Sequence, residues 1–152
     1  MKLATLCYLH RNGQTLMMYR NKKAADMHEG KWNGLGGKMD PGETPEECVR
    51  REVKEESGYD VGELRYRGFI VFPAFNGFED WYVFVFTAED FSGEMIDSNE
   101  GELAWIDDQK VHELNLWEGD YIFMQWLHKP EIFSARFIYQ QQKLVDYQVV
   151  FY

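Results

Sequence analysis

Three glutamates, Glu52, Glu55 and Glu56, lie close together in the acidic sequence GKMDPGETPEECVRREVKEESGY. At about 100° per residue in a helix, they share one arc of surface beside Val49 and Val53, which must face the core. Carboxylates at the edge of an apolar face repel one another, and a hard divalent cation with oxygen ligands relieves that repulsion. The pattern therefore indicates a divalent-cation site. A solvated acidic helix is the alternative interpretation of the acids alone.

The residues around these glutamates specify the helix that must carry them. Thr44 suits the N-cap, Pro45 the first helical position, and Glu47 completes a capping box. Gly58 supplies the usual helix stop. We predict a helix over residues 45–57.

Arg51 lies four residues after Glu47 and four before Glu55. Side chains at this spacing are neighbours on a helix surface. We therefore expect a row of alternating charge that supports the helix and orients the acids.

Composition indicates a single domain over residues 1–152, long enough for a sizeable core. There is no apolar run of about 18 residues and no signal-peptide pattern, so no membrane association and a cytoplasmic location are expected. Two cysteines, Cys7 and Cys48, do not suggest a disulfide framework.

The net charge of −10 argues against a nucleic-acid polymer as partner. A small anionic substrate remains compatible with the charge if cations bridge it to the carboxylates. Lys22, Lys23 and Lys38 are candidates to hold phosphates.

Hydrophobic patterning predicts a central mixed sheet flanked by two helices, which is an α/β/α sandwich of the α/β class. Asn12-Gly13 predicts a hairpin turn between the first two strands. Residues 89–101 are expected to form a loop, and 120–128 a second helix ending before Pro130. The predicted strands cover residues 2–9, 14–20, 63–75, 80–88, 102–106, 134–139 and 144–152, with a short candidate at 31–38.

The spacing Gly37, five residues, Glu43, seven residues, then Arg51-Glu52-Val53-Lys54-Glu55-Glu56-Ser57-Gly58-Tyr59 matches the Nudix box GX5EX7REUXEEXGU, where U is bulky and apolar. The chain thus resembles the Nudix hydrolases. Its departure is the last U, normally aliphatic, which is Tyr59 here. The resemblance implies the Nudix fold and an enzyme that hydrolyses phosphoric anhydrides.

Flanking residues are similar to the MutT-type 8-oxo-dGTP diphosphatases, the oxidised-purine nucleoside triphosphatases. The matching segments are 30–38, 70–72, Trp117 with Asp120, and the tail 133–152. The resemblance implies Mg²⁺, or Mn²⁺, as cofactor. A Gly36 carbonyl would ligate the metal together with the carboxylates of Glu52, Glu55, Glu56 and Glu100. The resemblance places Arg51 in the catalytic set with these acids, and which glutamate is the general base stays open.

The same resemblance implies a base-binding set. Asn33 would hydrogen-bond the purine edge, Trp117 would stack on the base, and Asp120 would read it. Gly119 departs from the family, which carries a second acid there, and Met27 stands where relatives have an aromatic residue. The remaining candidates for substrate contact are Lys23 and Lys38 for the phosphates, and Phe72 and Leu9 as walls.

The implied activity is hydrolysis of 8-oxo-dGTP, or a related oxidised purine nucleoside triphosphate, to the monophosphate and pyrophosphate. This would sanitise the nucleotide pool and so support DNA repair, in a monomer or small homo-oligomer. The alternatives are a Nudix enzyme of ordinary nucleoside triphosphates, nucleotide sugars or dinucleotides, and a non-catalytic nucleotide-sensing module.

Overall fold

The computed structural model describes residues 1–23 and 26–152. Its helices are α1 (Pro45–Ser57) and α2 (Asp120–Phe123), with 3₁₀ turns at Asp108–Glu113 and Met124–Trp126. Its strands are β1 (Lys2–Arg11), β2 (Gln14–Tyr19), β3 (Trp32–Asn33), β4 (Asp60–Val61), β5 (Arg65–Phe72), β6 (Trp81–Ala88), β7 (Phe91–Ser92), β8 (Glu102–Asp107), β9 (Phe133–Gln140) and β10 (Lys143–Phe151). Among the described residues no helix is long and apolar enough to cross a membrane.

A mixed sheet is the centre of the fold. Its strands follow the order β10-β9-β5-β6-β1-β2-β3, with β8 pairing on β2. β1 is parallel to β6 and β5 is parallel to β9, whereas the other pairs are antiparallel. The expected central mixed sheet is confirmed.

The hairpin between β1 and β2 turns at Asn12-Gly13, as the sequence predicts. Both residues have positive φ, 53° and 72°. This is the left-handed backbone that a two-residue turn needs to match the twist of its strands. The turn fixes the register in which His10 opposes Thr15.

Helix α1 begins and ends at the predicted residues. Thr44 Oγ1 accepts from the Glu47 N–H, and Glu47 Oε1 accepts from the Thr44 N–H, which completes the capping box. Gly58 ends the helix at φ 85°. Val49 and Val53 are fully buried, so the apolar face lies against the sheet as predicted.

Two apolar clusters cover opposite faces of the sheet, because alternate residues of each strand point to opposite sides. In β1, Ala4 and Tyr8 join the cluster that contains Phe123 of α2. Cys7 and Leu9 join the cluster that contains the valines of α1. The two helices therefore lie on opposite faces of the sheet.

Three predicted elements differ in the structure. The short strand candidate at 31–38 is reduced to β3 and two isolated bridges, at Leu35 and Lys38. The helix expected over 120–128 is α-helical only to Phe123, and then tightens into the 3₁₀ turn Met124–Trp126. Residues 89–101, expected to be all loop, include β7, which pairs with β4 in a small antiparallel sheet. Strands of two residues are too short to produce an alternating pattern.

Candidate functional site

A cavity of about 720 Å³ opens between β1, the turn at 33–38, the segment that enters α2, and β9. Carboxylates lie at one end and aromatic rings at the other. The sequence candidates that line it are Lys23, Met27, Asn33, Gly36, Lys38, Glu52, Phe72, Glu100, Trp117 and Asp120. These residues lie in separate segments of the sequence, and the fold brings them to one cavity.

Glu56 is the most deeply buried acid at the carboxylate end, with only 5% of its surface exposed. Its Oε1 accepts a 2.8 Å hydrogen bond from the Gly36 N–H. Burial and, after it, the Glu100 carboxyl raise the pKa of Glu56 to about 9, with the Gly36 N–H partly opposing the shift. Glu56 is therefore protonated at neutral pH unless a positive charge arrives beside it.

Glu52 lies beside Gly37, where an added Cβ would come within 2.7 Å of the Glu52 carboxyl. Because Gly37 has no side chain, the Glu52 carboxylate can occupy this space. Burial raises the pKa of Glu52, Arg51 lowers it, and Glu55 and Glu100 raise it. Glu55 is more open, with 59% of its side chain exposed.

Arg51 holds this group of acids together. Its guanidinium contacts both carboxylate oxygens of Glu43, at 2.7 and 2.9 Å, and Glu52 Oε1 at 2.8 Å. Glu55 lies at 3.5 Å, as the helical spacing predicts. The expected pairing with Glu47 is replaced by Glu43, because Glu47 is engaged in the capping box. Hydrogen bonds from Arg51 and, after them, from the Asp40 N–H lower the pKa of Glu43 to about 2.

The donor set suits a hard divalent cation, since the Glu100 carboxyl raises the pKa of both Glu52 and Glu56, and Glu52 also raises that of Glu56. Within residues 1–23 and 26–152, no three acidic, histidine or cysteine side chains already converge as metal ligands. Binding would therefore require small rotations of the carboxylates. The backbone of Gly36 reaches the same acids through its N–H, which bonds Glu56.

Lysines lie near the carboxylates. Lys23 Nζ lies 3.6 Å from Glu100 Oε1, and Lys38 Nζ lies 5.6 Å from the Trp81 ring centre. Lys22 instead bonds Asp97 Oδ1 and the Ser98 carbonyl, both at 2.8 Å. Lys22 thus anchors the loop that carries Glu100, while Lys23 and Lys38 line the cavity.

At the opposite end, Trp117 is 5% exposed and its orientation is fixed by a hydrogen bond. Its Nε1–H donates to His28 Nδ1 at 2.9 Å. Phe75 packs edge-on against Trp117, with ring centres 5.0 Å apart. These rings form an apolar wall of the size that a heteroaromatic base would contact.

Two polar side chains face this aromatic end. Asp120 is 7% exposed, and burial raises its pKa to about 7, with Lys31 opposing the shift. Asn33 Nδ2 is buried and has no hydrogen-bond partner among the described residues. An unpaired buried amide costs free energy, which a ligand can recover by accepting its hydrogen.

Comparison with known proteins supplies the family. The NUDIX domain model matches residues 1–127 of the chain. This chain is a Nudix hydrolase. It is 33% identical to a protein named oxidized purine nucleoside triphosphate hydrolase from Danio rerio, over 95% of this chain and 90% of the relative. The mouse protein of that name is also 33% identical, over 76% and 74%.

Among solved structures, the MutT protein of Bacillus halodurans matches with a TM-score of 0.86 and 30% identity, over 98% of this chain and 97% of that one. The resemblance to MutT-type Nudix hydrolases is confirmed. Nudix hydrolases generally use divalent metal cations and act on small-molecule nucleotides. The carboxylates of this site suit a divalent cation, and the cavity has room for a nucleotide.

In this Nudix hydrolase the structure places Leu9 away from the cavity. Leu9 is fully buried in the cluster beneath α1. Ala4 and Leu6, on the opposite face of β1, line the cavity instead. Each differs from Leu9 by an odd number of positions, and successive strand residues point to opposite sides.

Several cavity residues carried no signal that the sequence analysis used. Phe75 follows the turn after Pro73, Trp81 opens β6, and Tyr139 ends the alternating buried set of β9. His28 lies in the turn between β2 and β3. The alternating pattern of residues 133–139 could have indicated that Tyr139 faces inward.

Proposed function

We propose that this Nudix hydrolase converts 8-oxo-dGTP, or a related oxidised purine nucleoside triphosphate, to the monophosphate and pyrophosphate with Mg²⁺ as cofactor. The observation that carries the proposal is Asp120, a buried carboxyl at the aromatic end of the cavity whose pKa lies near 7. A carboxyl that is partly protonated at neutral pH can donate to a base carbonyl. It can also accept from a ring N–H once ionised.

The dimensions of the cavity support this assignment. Its volume of about 720 Å³ is in the range that encloses a nucleotide-sized ligand. The rings of Trp117 and Phe75 would contact the base faces, and the Asn33 amide would bond its edge. The names of the fish and mouse relatives point to the same substrate class.

At the carboxylate end, Glu52, Glu56 and Glu100 would hold the cation with the Gly36 carbonyl. A bound divalent cation neutralises phosphate oxygens and acidifies water. The protein contributes Arg51, which fixes the acids, and Lys23 and Lys38, which balance phosphate charge. Glu56 serves as a metal ligand, while Glu52, Glu55 and Glu100 are the candidates for general base.

The deciding experiment measures pyrophosphate release and kcat/KM with Mg²⁺ for 8-oxo-dGTP, dGTP, dATP, dTTP, a nucleotide sugar and a dinucleotide. The expected order places 8-oxo-dGTP first and the last two far behind. A clear preference for the nucleotide sugar or the dinucleotide would overturn the substrate assignment. Nucleotide binding with no turnover would instead indicate a sensing module.

Asp120→Ala should retain the fold and lose most discrimination between 8-oxo-dGTP and dGTP, because a site built on hydrogen bonds to the base rejects bases that leave them unpaired. The matched control is Asp146→Ala on the exposed face of β10, which should leave the selectivity ratio unchanged. If Asp120→Ala keeps the wild-type ratio, Asp120 does not read the base.

A further inference from the structure

Gly119 is a glycine for reasons of space. Its φ and ψ, −67° and −28°, are accessible to any residue. An added Cβ would instead lie 2.7 Å from the Tyr139 hydroxyl oxygen and 2.9 Å from Phe137 Cδ1. The hydroxyl of Tyr139 therefore occupies the place that a side chain at position 119 would take.

Tyr139 is held firmly in that place. Its ring meets Phe75 edge-on at 5.1 Å and 89°, and Trp117 at 5.8 Å and 86°. Its hydroxyl oxygen accepts a 2.7 Å hydrogen bond from the Gly119 N–H. The residue is 6% exposed and lines the cavity.

This geometry leaves the Tyr139 O–H free to donate a hydrogen bond. The Gly119 N–H already occupies an oxygen lone pair, and no described residue accepts the Tyr139 O–H. Burial raises the pKa of Tyr139, with the Gly119 N–H opposing and Asp120 adding to the shift, so the group keeps its proton near neutrality. The protonated Tyr139 hydroxyl is therefore a hydrogen-bond donor with no acceptor among the described residues.

We propose that the Tyr139 hydroxyl reads the substrate by donating a hydrogen bond to an acceptor atom of the purine, a ring carbonyl oxygen or an unprotonated ring nitrogen. The proposal rests on the proposed function, since it assigns a specificity-determining residue to that same base site. The Tyr139 O–H can donate whether Asp120 is ionised or protonated. Together the two residues supply one permanent donor and one group that either donates or accepts. A base without an acceptor at this point would leave the hydroxyl unpaired and bind less tightly.

The test pairs Tyr139→Phe with nucleotides that differ in their acceptor atoms. The series starts from dGTP. The 2-aminopurine analogue lacks O6 and has N1 as an acceptor, the 3-deaza and 7-deaza analogues lack N3 and N7, and 8-oxo-dGTP adds O8 while its N7 becomes a donor. Tyr139→Phe keeps the ring and removes only the oxygen. We expect kcat/KM to fall about tenfold, mainly through KM, on every member that keeps the contacted acceptor. The member or members without it should be unaffected.

Tyr121→Phe is the matched control. The Tyr121 hydroxyl accepts from the Leu116 N–H and donates to the Leu114 carbonyl, so both its functions are satisfied within the protein. Its loss should affect all members of the series equally. The same uniform loss for Tyr139→Phe would overturn the proposal and reduce Tyr139 to a support for Gly119.

Wild-type enzyme gives a second measurement that does not depend on how the variant folds. Among members that otherwise match, those without the contacted acceptor should have about tenfold lower kcat/KM on the wild type than those that keep it. Equal wild-type values across the series would contradict the proposal. Absence of hydrolysis of any purine triphosphate by the wild type would instead overturn the proposed function.

Discussion

At the scale of single residues, burial keeps the Glu56 carboxyl protonated in the metal-free protein, with a pKa of about 9. In the proposed site this proton occupies the place that a cation would take. Glutamine has the same shape as that protonated acid and can still accept from the Gly36 N–H. The metal-free fold should therefore tolerate Glu56→Gln, whereas cation binding should not.

We expect Glu56→Gln to change Tm by less than about 2 °C without Mg²⁺. Wild type at 100 times its Kd for Mg²⁺ should gain about 2.7 kcal/mol, a rise of roughly 5–10 °C. The variant should lose most of that rise and at least about 100-fold in turnover. Glu46→Gln, exposed in the first turn of the same helix, is the control. A normal rise in Tm with near-normal turnover would remove Glu56 from the cation site.

Sequence predicts the position of a residue where local spacing determines it, and does not where the position depends on packing. The Nudix spacing put Glu52 and Glu56 on one helix, and the structure brings both beside the Gly36-Gly37 turn. The spacing could not identify Glu43 as the main partner of Arg51, because their separation of eight residues is set by the turn before the helix. Nor could it show that Tyr139 explains Gly119, since the two lie 20 positions apart on different elements.

At the scale of elements, α1 was predictable because local residues determine both of its ends. The capping box satisfies two backbone groups at its start, and Gly58 adopts the left-handed conformation at its end. The helix beginning at Asp120 lacks such signals, since no side chain caps it at Gly119. Burial of Phe123, Trp126 and Leu127 shapes that segment instead, and tertiary packing of this kind is not encoded locally.

The cap gives a prediction for α1. Thr44→Ala should lower the free energy of unfolding by about 1 kcal/mol, because the Glu47 N–H loses its acceptor. Thr44→Ser keeps the hydroxyl and should lose only a few tenths. Urea unfolding measures both. Equal losses in the two variants would mean that the methyl group, and not the cap, stabilises the helix.

At the scale of the whole molecule, the net charge of −10 opposes the approach of a polyanionic substrate. Lys23 and Lys38 lie in the cavity, but their attraction acts at short range, whereas the surplus of acids acts from the entire surface. Salt screens charges separated by more than about 10 Å at 0.1 M ionic strength. The long-range repulsion should therefore weaken before the local attraction does.

We expect kcat/KM for a nucleoside triphosphate to rise a few-fold between about 20 and 150 mM KCl, with free Mg²⁺ held at saturation. The gain should lie in kcat/KM and not in kcat, because screening changes the encounter and not the bound geometry. Sucrose at matched osmolality is the control and should have no such effect. A steady fall in kcat/KM with KCl would instead mean that the cavity lysines govern substrate approach, and Lys23→Gln with Lys38→Gln should then abolish the salt dependence.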